Sequence, residues 1–445
     1  MRVVIVGAGE VGSSIAASLA GSHEVVVVDI DRDRVESLQY EVDVLAIQGD
    51  GASLETLEEA EVRDADMLIA STDDDETNIV TCGTARTVNA DCFTISRVKN
   101  TKFLETWRHA EGAFGVDFMV GTNLLTAQTI VSVIGLPAAN DVESFAGGRV
   151  QMAEFRIDPE SPIAGQTVQE ADRFDSLTFA GLLRDGDVII PDGSSRIEAN
   201  DEVVVIGSRD SVRQFATEVS PDDDDGTNDV LIVGGSDIGY HTARLLETRG
   251  LKPRMIERDH DHARSLAEDL PGTTVMESDA TDREFLEREH ISEVDVVVAA
   301  LDNDEKNLLA GLLAKRLGAE RAVAVVDAGE YVELFEAVGI DVAVNPREAT
   351  AEEITRFTRE RKAENVAIIE NDQAEVIEIE IDRESQLVGR AIQEAIQDLP
   401  EGVVFGAITR DGEYVVPRGD TIIEADDHVV LFVDASVVDE ATGQF

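Results

Sequence analysis

The stretch "VVIVGAGEVG", residues 3–12, sets Gly7, Gly9 and Gly12 between an apolar run and an amphipathic one. The spacing G-x-G-x-x-G suits the binding of phosphate, because each glycine removes a different steric obstacle. The first permits a tight turn, the second lets the backbone approach a pyrophosphate, and the third lets helix and strand pack closely. Ala8, Glu10 and Val11 fill the intervening positions, and the amides opening the following helix would face the phosphates with the positive end of its dipole. Asp29 ends the next apolar run, "VVVVD". A carboxylate there accepts hydrogen bonds from ribose hydroxyls and repels a 2′-phosphate, so NAD or NADH is expected rather than NADP.

Four further residues stand at predicted strand ends. Asp50 closes the third strand in "QGD", and Ser71 and Thr72 close the fourth. They would line the adenine and phosphate sides of a pocket, or serve as helix N-caps, for which these residue types are favoured. Arg97 ends the fifth strand in "ISRV"; it either pairs with a phosphate or makes a surface ion pair.

The same signals return in the middle of the chain. "DVLIVGGSDIG", residues 229–239, keeps Gly234 and Gly239 but carries Ser236 in place of the middle glycine, with Gly235, Asp237 and Ile238 around it. Asp29 corresponds to Glu257, Asp50 to Asp279 and Asn78 to Asn307; Arg97 aligns with Asp327. Ser236 adds a Cβ and a hydroxyl where the backbone would approach the pyrophosphate, and Asp327 turns a positive charge negative. The second copy is therefore expected to bind nucleotide differently, weakly or not at all.

The elements that must hold these residues follow from the pattern. Strands are expected near 2–6, 24–29, 44–48, 66–71, 92–97 and 117–121, apolar almost throughout, as in a parallel sheet covered on both faces by helices. Ligands of such sheets lie at the carboxyl ends of the strands, near the switch point. The repeat extends further: "FAGLLRDGDVIIPDGSSRIEANDEVVVI" (179–206) resembles "FGAITRDGEYVVPRGDTIIEADDHVVLF" (405–432), with alternating strands around the hairpin turns Asp185-Gly186 and Asp411-Gly412. The expected class is α/β: two Rossmann-like, doubly wound parallel sheets, each followed by a small α+β domain. The boundaries read 1–137, 138–220, an acidic linker at 221–228, 229–361 and 362–445.

Composition narrows the function classes. With 37 Lys+Arg against 92 Asp+Glu the net charge is −55, a field that repels nucleic acid and anionic lipid. No apolar run approaches the ~18 residues of a membrane span, so any membrane role is expected to be peripheral, without lipid insertion. The acids are scattered rather than gathered in a tail, which suggests a surface adapted to a salt-rich, halophilic cytoplasm, where the Debye length falls to about 3 Å at molar salt. Cys82 and Cys92 form neither a C-x-x-C nor a disulfide framework, and the start of the chain enters a strand at once, so a reducing cytosol is expected. His260 and His262 stand two apart without a third ligand, so no metal site is expected. No group is placed for acid–base catalysis.

Two halves carrying "GAGEVG", "VVVVDID", "QGDG", "STDDDETN" and "ISRV" in the first, and "GGSDIG" and "ALDNDEKN" in the second, resemble the TrkA family of regulatory proteins of Trk potassium-uptake systems. Chains of that family carry two regulator-of-potassium-conductance (RCK) modules. The resemblance implies a subunit peripheral on the cytoplasmic face of the membrane that binds NAD or NADH, and in relatives ATP or ADP. It implies a homotetrameric ring docked on a separate potassium-translocating, TrkH-like membrane protein, which the ring gates. The competing expectations are a duplicated NAD-dependent oxidoreductase and a scaffold whose nucleotides are structural.

Overall fold

The computed structural model describes residues 1–110, 113–136, 139–184, 187–220, 229–280, 282–359, 365–369, 373–383, 385–400, 402–410 and 412–442. The expected linker at 221–228, the Asp185-Gly186 turn and Asp411 lie outside them.

Six parallel strands, β1 (Arg2–Val6), β2 (Glu24–Asp29), β3 (Leu45–Gln48), β4 (Met67–Ala70), β5 (Phe93–Val98) and β6 (Phe118–Gly121), form the first sheet in the order β3-β2-β1-β4-β5-β6. Val3, Val4, Ile5 and Val6 are at most 2% exposed, as continuous apolar strands must be when helices cover both faces. The chain reverses direction across the sheet between β1 and β4, so a crevice opens at their carboxyl ends. The helix Glu10–Ala20 buries Val11, Ile15, Ala16 and Leu19 against this sheet, a stripe of helical period. Asp31, Asp74 and Asn100 cap later helices by accepting from their first-turn amides.

A five-stranded antiparallel sheet follows, built from β7 (Ala139–Phe145), β8 (Val150–Arg156), β9 (Leu177–Arg184), β10 (Asp187–Ile189) and β11 (Glu202–Ser208) in the order β10-β9-β11-β8-β7. The second half repeats both parts. β12 (Val230–Val233), β13 (Arg254–Glu257), β14 (Thr274–Glu277), β15 (Val296–Ala299), β16 (Arg321–Val325) and β17 (Val342–Val344) form a parallel sheet ordered β14-β13-β12-β15-β16-β17. β18 (Asn365–Ile369), β19 (Ala374–Glu380), β20 (Val403–Arg410), β21 (Glu413–Val415) and β22 (His428–Asp434) form the second antiparallel sheet, ordered β18-β19-β22-β20-β21. The duplication reaches single side chains: Arg184 grips buried Asp201 at 2.7 Å through two nitrogens, and Arg410 grips buried Asp427 at 2.8 and 2.9 Å.

Compactness groups the copies across the sequence. Residues 1–131 and 228–355 form one unit, and 132–227 with 356–445 the other. In the second unit the two small sheets share a core in which Phe145, Met152 and Ile206 join Val376, Ala407 and Phe432. In the first, Arg249 of the second Rossmann-like domain donates to the Val131 carbonyl of the first at 2.8 Å, and the buried hydroxyls of Thr350 and Thr122 lie 3.2 Å apart. Among the described residues no helix is long and apolar enough to cross a membrane.

Candidate functional site

The first glycine loop is shaped by two steric requirements. Gly7 has φ +108°, and a Cβ on Gly12 would lie 1.8 Å from the Gly7 carbonyl oxygen; neither position accepts a side chain without displacing the turn. Gly7 N–H donates to the Val28 carbonyl at 2.8 Å, fixing the loop against β2. Gly9 precedes the helix Glu10–Ala20 without a side chain to cap it, so the amides of the first turn keep their capacity for an external acceptor. Asp29 accepts from Ala8 N–H at 2.6 Å through one oxygen and from Asp31 N–H at 2.8 Å through the other. Each oxygen retains a lone pair, which leaves the carboxylate able to receive ribose hydroxyls.

These groups converge on a cavity of 860 Å³ lined by Gly7, Ala8, Gly9, Glu10, Val11, Asp29, Asp50, Ser71, Thr72 and Arg97, with Arg34, Asp73 and Arg347. Gly12 is not on the lining; its part is the close packing behind the loop. The capping alternatives for the strand-end residues do not hold: Ser53 and Asp74, not Asp50, Ser71 or Thr72, occupy the N-cap positions of the following helices. Asp50 instead accepts from Ala52 N–H within its turn at 2.9 Å, and the Thr72 hydroxyl donates to Asn78 at 2.7 Å.

Arg97 is only 3% exposed, and the ion pair it makes is with the exposed carboxylate of Asp73 at 3.4 Å. Its guanidinium reaches Thr122 Oγ1 at 3.2 Å, the Ser71 and Thr72 carbonyls at 3.4 and 3.5 Å, and Asp73 at 3.4 Å, all longer than the usual charge-assisted contact. Burial pulls its pKa down, against the pull of Asp73. Asp73 is shared with Lys99, 3.1 Å away. Despite the cost of its own burial, the hydrogen bond from Lys99 and the charges of Lys99, Arg97 and Arg347 hold its carboxyl below the usual range.

Arg347 escapes the sequence reading. It opens the helix Pro346–Arg359 of the second Rossmann-like domain, lines the first domain's cavity, and donates to Glu10 Oε1 at 2.5 Å. The motif around it, "NPREA", carries no phosphate-binding signal; only the packing of one copy on the other brings it there.

The second loop repeats the backbone and changes the chemistry. Gly234 has φ +106°, and a Cβ on Gly239 would lie 2.2 Å from the Gly234 carbonyl oxygen. Glu257 accepts from Gly235 N–H at 3.0 Å, as Asp29 does from Ala8. Ser236 sits in extended backbone close to that of Gly9, and a Cβ on Gly9 would meet nothing nearer than Arg34 at 3.5 Å. A Cβ at this position is therefore accommodated by the protein itself. Its hydroxyl donates to the Ala300 carbonyl at 2.6 Å and accepts from Gly239 N–H at 3.3 Å, capping the helix Asp237–Thr248. An amide that is uncapped by any side chain in the first copy is thus engaged in the second. His262 adds a 2.8 Å contact to the Gly235 carbonyl, while His260 pairs with Glu277 at 2.7 Å. Ile238 lies in the same helical turn, where its carbonyl accepts from Thr242, and the Asp279 carbonyl accepts from Asp282 N–H within its loop. Asp237 accepts from Asn123 Nδ2 at 3.2 Å.

One sequence equivalence is corrected. Asn78 donates to the carbonyl of Arg97, and Asn307, its counterpart, to that of Val325. Lys99 N–H donates to Asp75, and Asp327 N–H to Asp304. Arg97 therefore corresponds to Val325, and Asp327 to Lys99. The run "AVAVV" carries no mark that fixes its register in the sequence; the asparagine hydrogen bond fixes it in space. Two cations are lost, not one, since a second position also changes from lysine to aspartate.

The TrkA-N domain family matches residues 3–120 and 230–346, and the TrkA-C domain family matches residues 152–220 and 376–445. A Trk system potassium uptake protein TrkA homolog of Methanosarcina mazei is 37% identical over 100% of both chains. A TrkA homolog of Archaeoglobus fulgidus is 37% identical over 97% of each, and the TrkA protein of Vibrio alginolyticus 33% identical over 97% of this chain and 96% of its own. Among solved structures the RCK domain of GsuK, at 19% identity, superposes with a TM-score of 0.60 over 99% of this chain and 95% of that one. The GsuK channel bound to NAD gives 0.60 at 19% identity, over 99% of this chain and 79% of that one. With both domain types present twice and relatives aligned end to end, the chain belongs to the TrkA family.

Proposed function

We propose that this chain is the nucleotide-sensing regulatory subunit of a Trk-type potassium-uptake system, acting through its first Rossmann-like domain. Members of the family regulate rather than catalyse, which sets the oxidoreductase reading aside. The observation that carries the proposal is the buried, loosely bonded Arg97 in the same cavity as an uncapped helix N-terminus. Gly7 to Val11 would hold the phosphates of NAD, NADH, ATP or ADP, Asp29 the ribose hydroxyls, and Asp50, Ser71 and Thr72 the rest of the cavity wall.

The chain is read as a homotetrameric ring on the cytoplasmic face of the membrane, docked on a TrkH-like potassium-translocating protein, with domains bounded at 137/138, 221–228 and 361/362. The charge of −55 supports a salt-rich cytoplasm as its home, because self-repulsion of that size needs screening. A nucleotide gates such a partner only by unequal affinity for two states of the ring. The test is calorimetry of the full chain with NADH, NAD, ATP and ADP in molar KCl, followed by potassium flux through vesicles containing the partner. Flux that changes with a bound nucleotide supports the reading; nucleotide that binds without altering flux points to the scaffold, and the absence of binding overturns both.

A further inference from the structure

We infer that Arg347, carried by the second Rossmann-like domain, is a phosphate ligand of the first domain's site, so that a bound nucleoside polyphosphate ties the two domains together. The inference rests on the nucleotide reading of the first copy. Arg347 lines the cavity together with Glu10, Asp73 and Arg97, and its charge is felt at both Asp73 and Arg97. Three cations, Arg97, Lys99 and Arg347, thus gather around Asp73, with Glu10 and Asp327 beside Arg347, in a chain of net charge −55. Asp327 also faces Arg347 and Lys99, so each cation already meets a carboxylate, and a polyphosphate, bringing several charges on one group, would draw the cations together in place of these separate carboxylates.

The two arginines are also linked structurally. Arg97 Nε donates to Thr122 Oγ1 at 3.2 Å, and that hydroxyl lies 3.2 Å from Thr350 Oγ1, one turn beyond Arg347 on the same helix. The reciprocal contact is neutral: Asn123, at the matching place on the helix Thr122–Ile134, meets Asp237 of the second loop. At these matching positions the packing of the two copies places a cation beside the first loop and an amide beside the second. A phosphate arriving at the first site would take Arg347 from Glu10.

The experiment is calorimetry of the full chain with ATP and with adenosine, comparing wild type, Arg347→Gln and Glu10→Gln, with thermal melts to check folding. Losing a charged hydrogen-bond partner should weaken ATP about ten- to a hundredfold in Arg347→Gln and leave adenosine unchanged. Glu10→Gln, which frees the arginine, should tighten ATP. Equal ATP affinity in wild type and Arg347→Gln overturns the inference while leaving the nucleotide reading in place. Equal losses for ATP and adenosine overturn it as well, because they mark a structural effect. Failure of wild type to bind ATP removes the reading and the inference together.

Discussion

The two Rossmann-like domains share a backbone and differ at the end where phosphates would sit. In the first, an uncapped helix N-terminus shares a cavity with Arg97 and Arg347, and Lys99 shares Asp73 with Arg97. In the second, Ser236 caps the helix, Val325 and Asp327 stand at the places of Arg97 and Lys99, and Asn123 reaches across where Arg347 does. The steric requirements of the turn are retained in both copies: Gly7 and Gly234 have φ +108° and +106°, and a Cβ on Gly12 or Gly239 would lie 1.8 or 2.2 Å from the carbonyl oxygen of Gly7 or Gly234. The two copies thus share the glycines the turn needs and differ in their cations and in the capping of the helix amide. The glycines by themselves report on packing as much as on binding.

The largest effect that would break this contrast is at Arg97. Arg97→Gln should cost about a hundredfold in ATP affinity, since a buried charge partner is removed, while Val325→Gln in the second copy should leave calorimetric titrations unchanged. A matching loss from Val325→Gln would show that the second site binds too. The reverse construction sharpens the contrast: Ser236→Gly with Val325→Arg and Asp327→Lys should strengthen ATP binding at the second site by about tenfold or more, read as a second binding event per chain.

A smaller difference concerns stability. Ser236→Ala removes a helix cap and should cost about 1 kcal/mol in denaturant unfolding, whereas Gly9→Ala removes no cap and should cost less. The smallest effect is in pH dependence, where the copies should move in opposite directions. Asp73 has its pKa lowered in the folded state, so its contribution is present at neutral pH and lost as pH falls through that lowered value; Asp73→Asn should destabilise at pH 7, with the loss shrinking as pH falls through that value. Asp327 has its pKa raised, by desolvation and then by Asp304. Its charged form is a penalty that grows as pH rises from the unfolded value through the folded one. Asp327→Asn should therefore stabilise at pH 7, with the gain fading below pH 4. Parallel melts of the two variants across that range would separate the copies, and the same sign for both would refute the electrostatic contrast.

Much of this was legible in the residues. The six strands of the first domain lie within a residue or so of where the apolar runs end, because a strand covered on both faces must be apolar throughout. Gly7, Gly12 and Asp29 were recognisable from spacing, since turn, packing and strand end are local properties. The role of Ser236 was visible only in part: its identity marked the divergent copy, but whether its hydroxyl crowds the cleft or caps the helix depends on a rotamer and on the Ala300 carbonyl, 64 residues away. The counterpart of Arg97 is ambiguous in the sequence because a run of alanines and valines aligns equally well in two registers.

The sequence by itself determined the duplicated architecture, the glycine turns and the acidic surface, all of which follow from short-range pattern and composition. Tertiary structure alone decided which charges meet. Arg347 and Glu10 are 337 residues apart, and no local pattern couples them. Their contact exists because the two copies dock on one another, and that docking places a cation at one loop and an amide at the other.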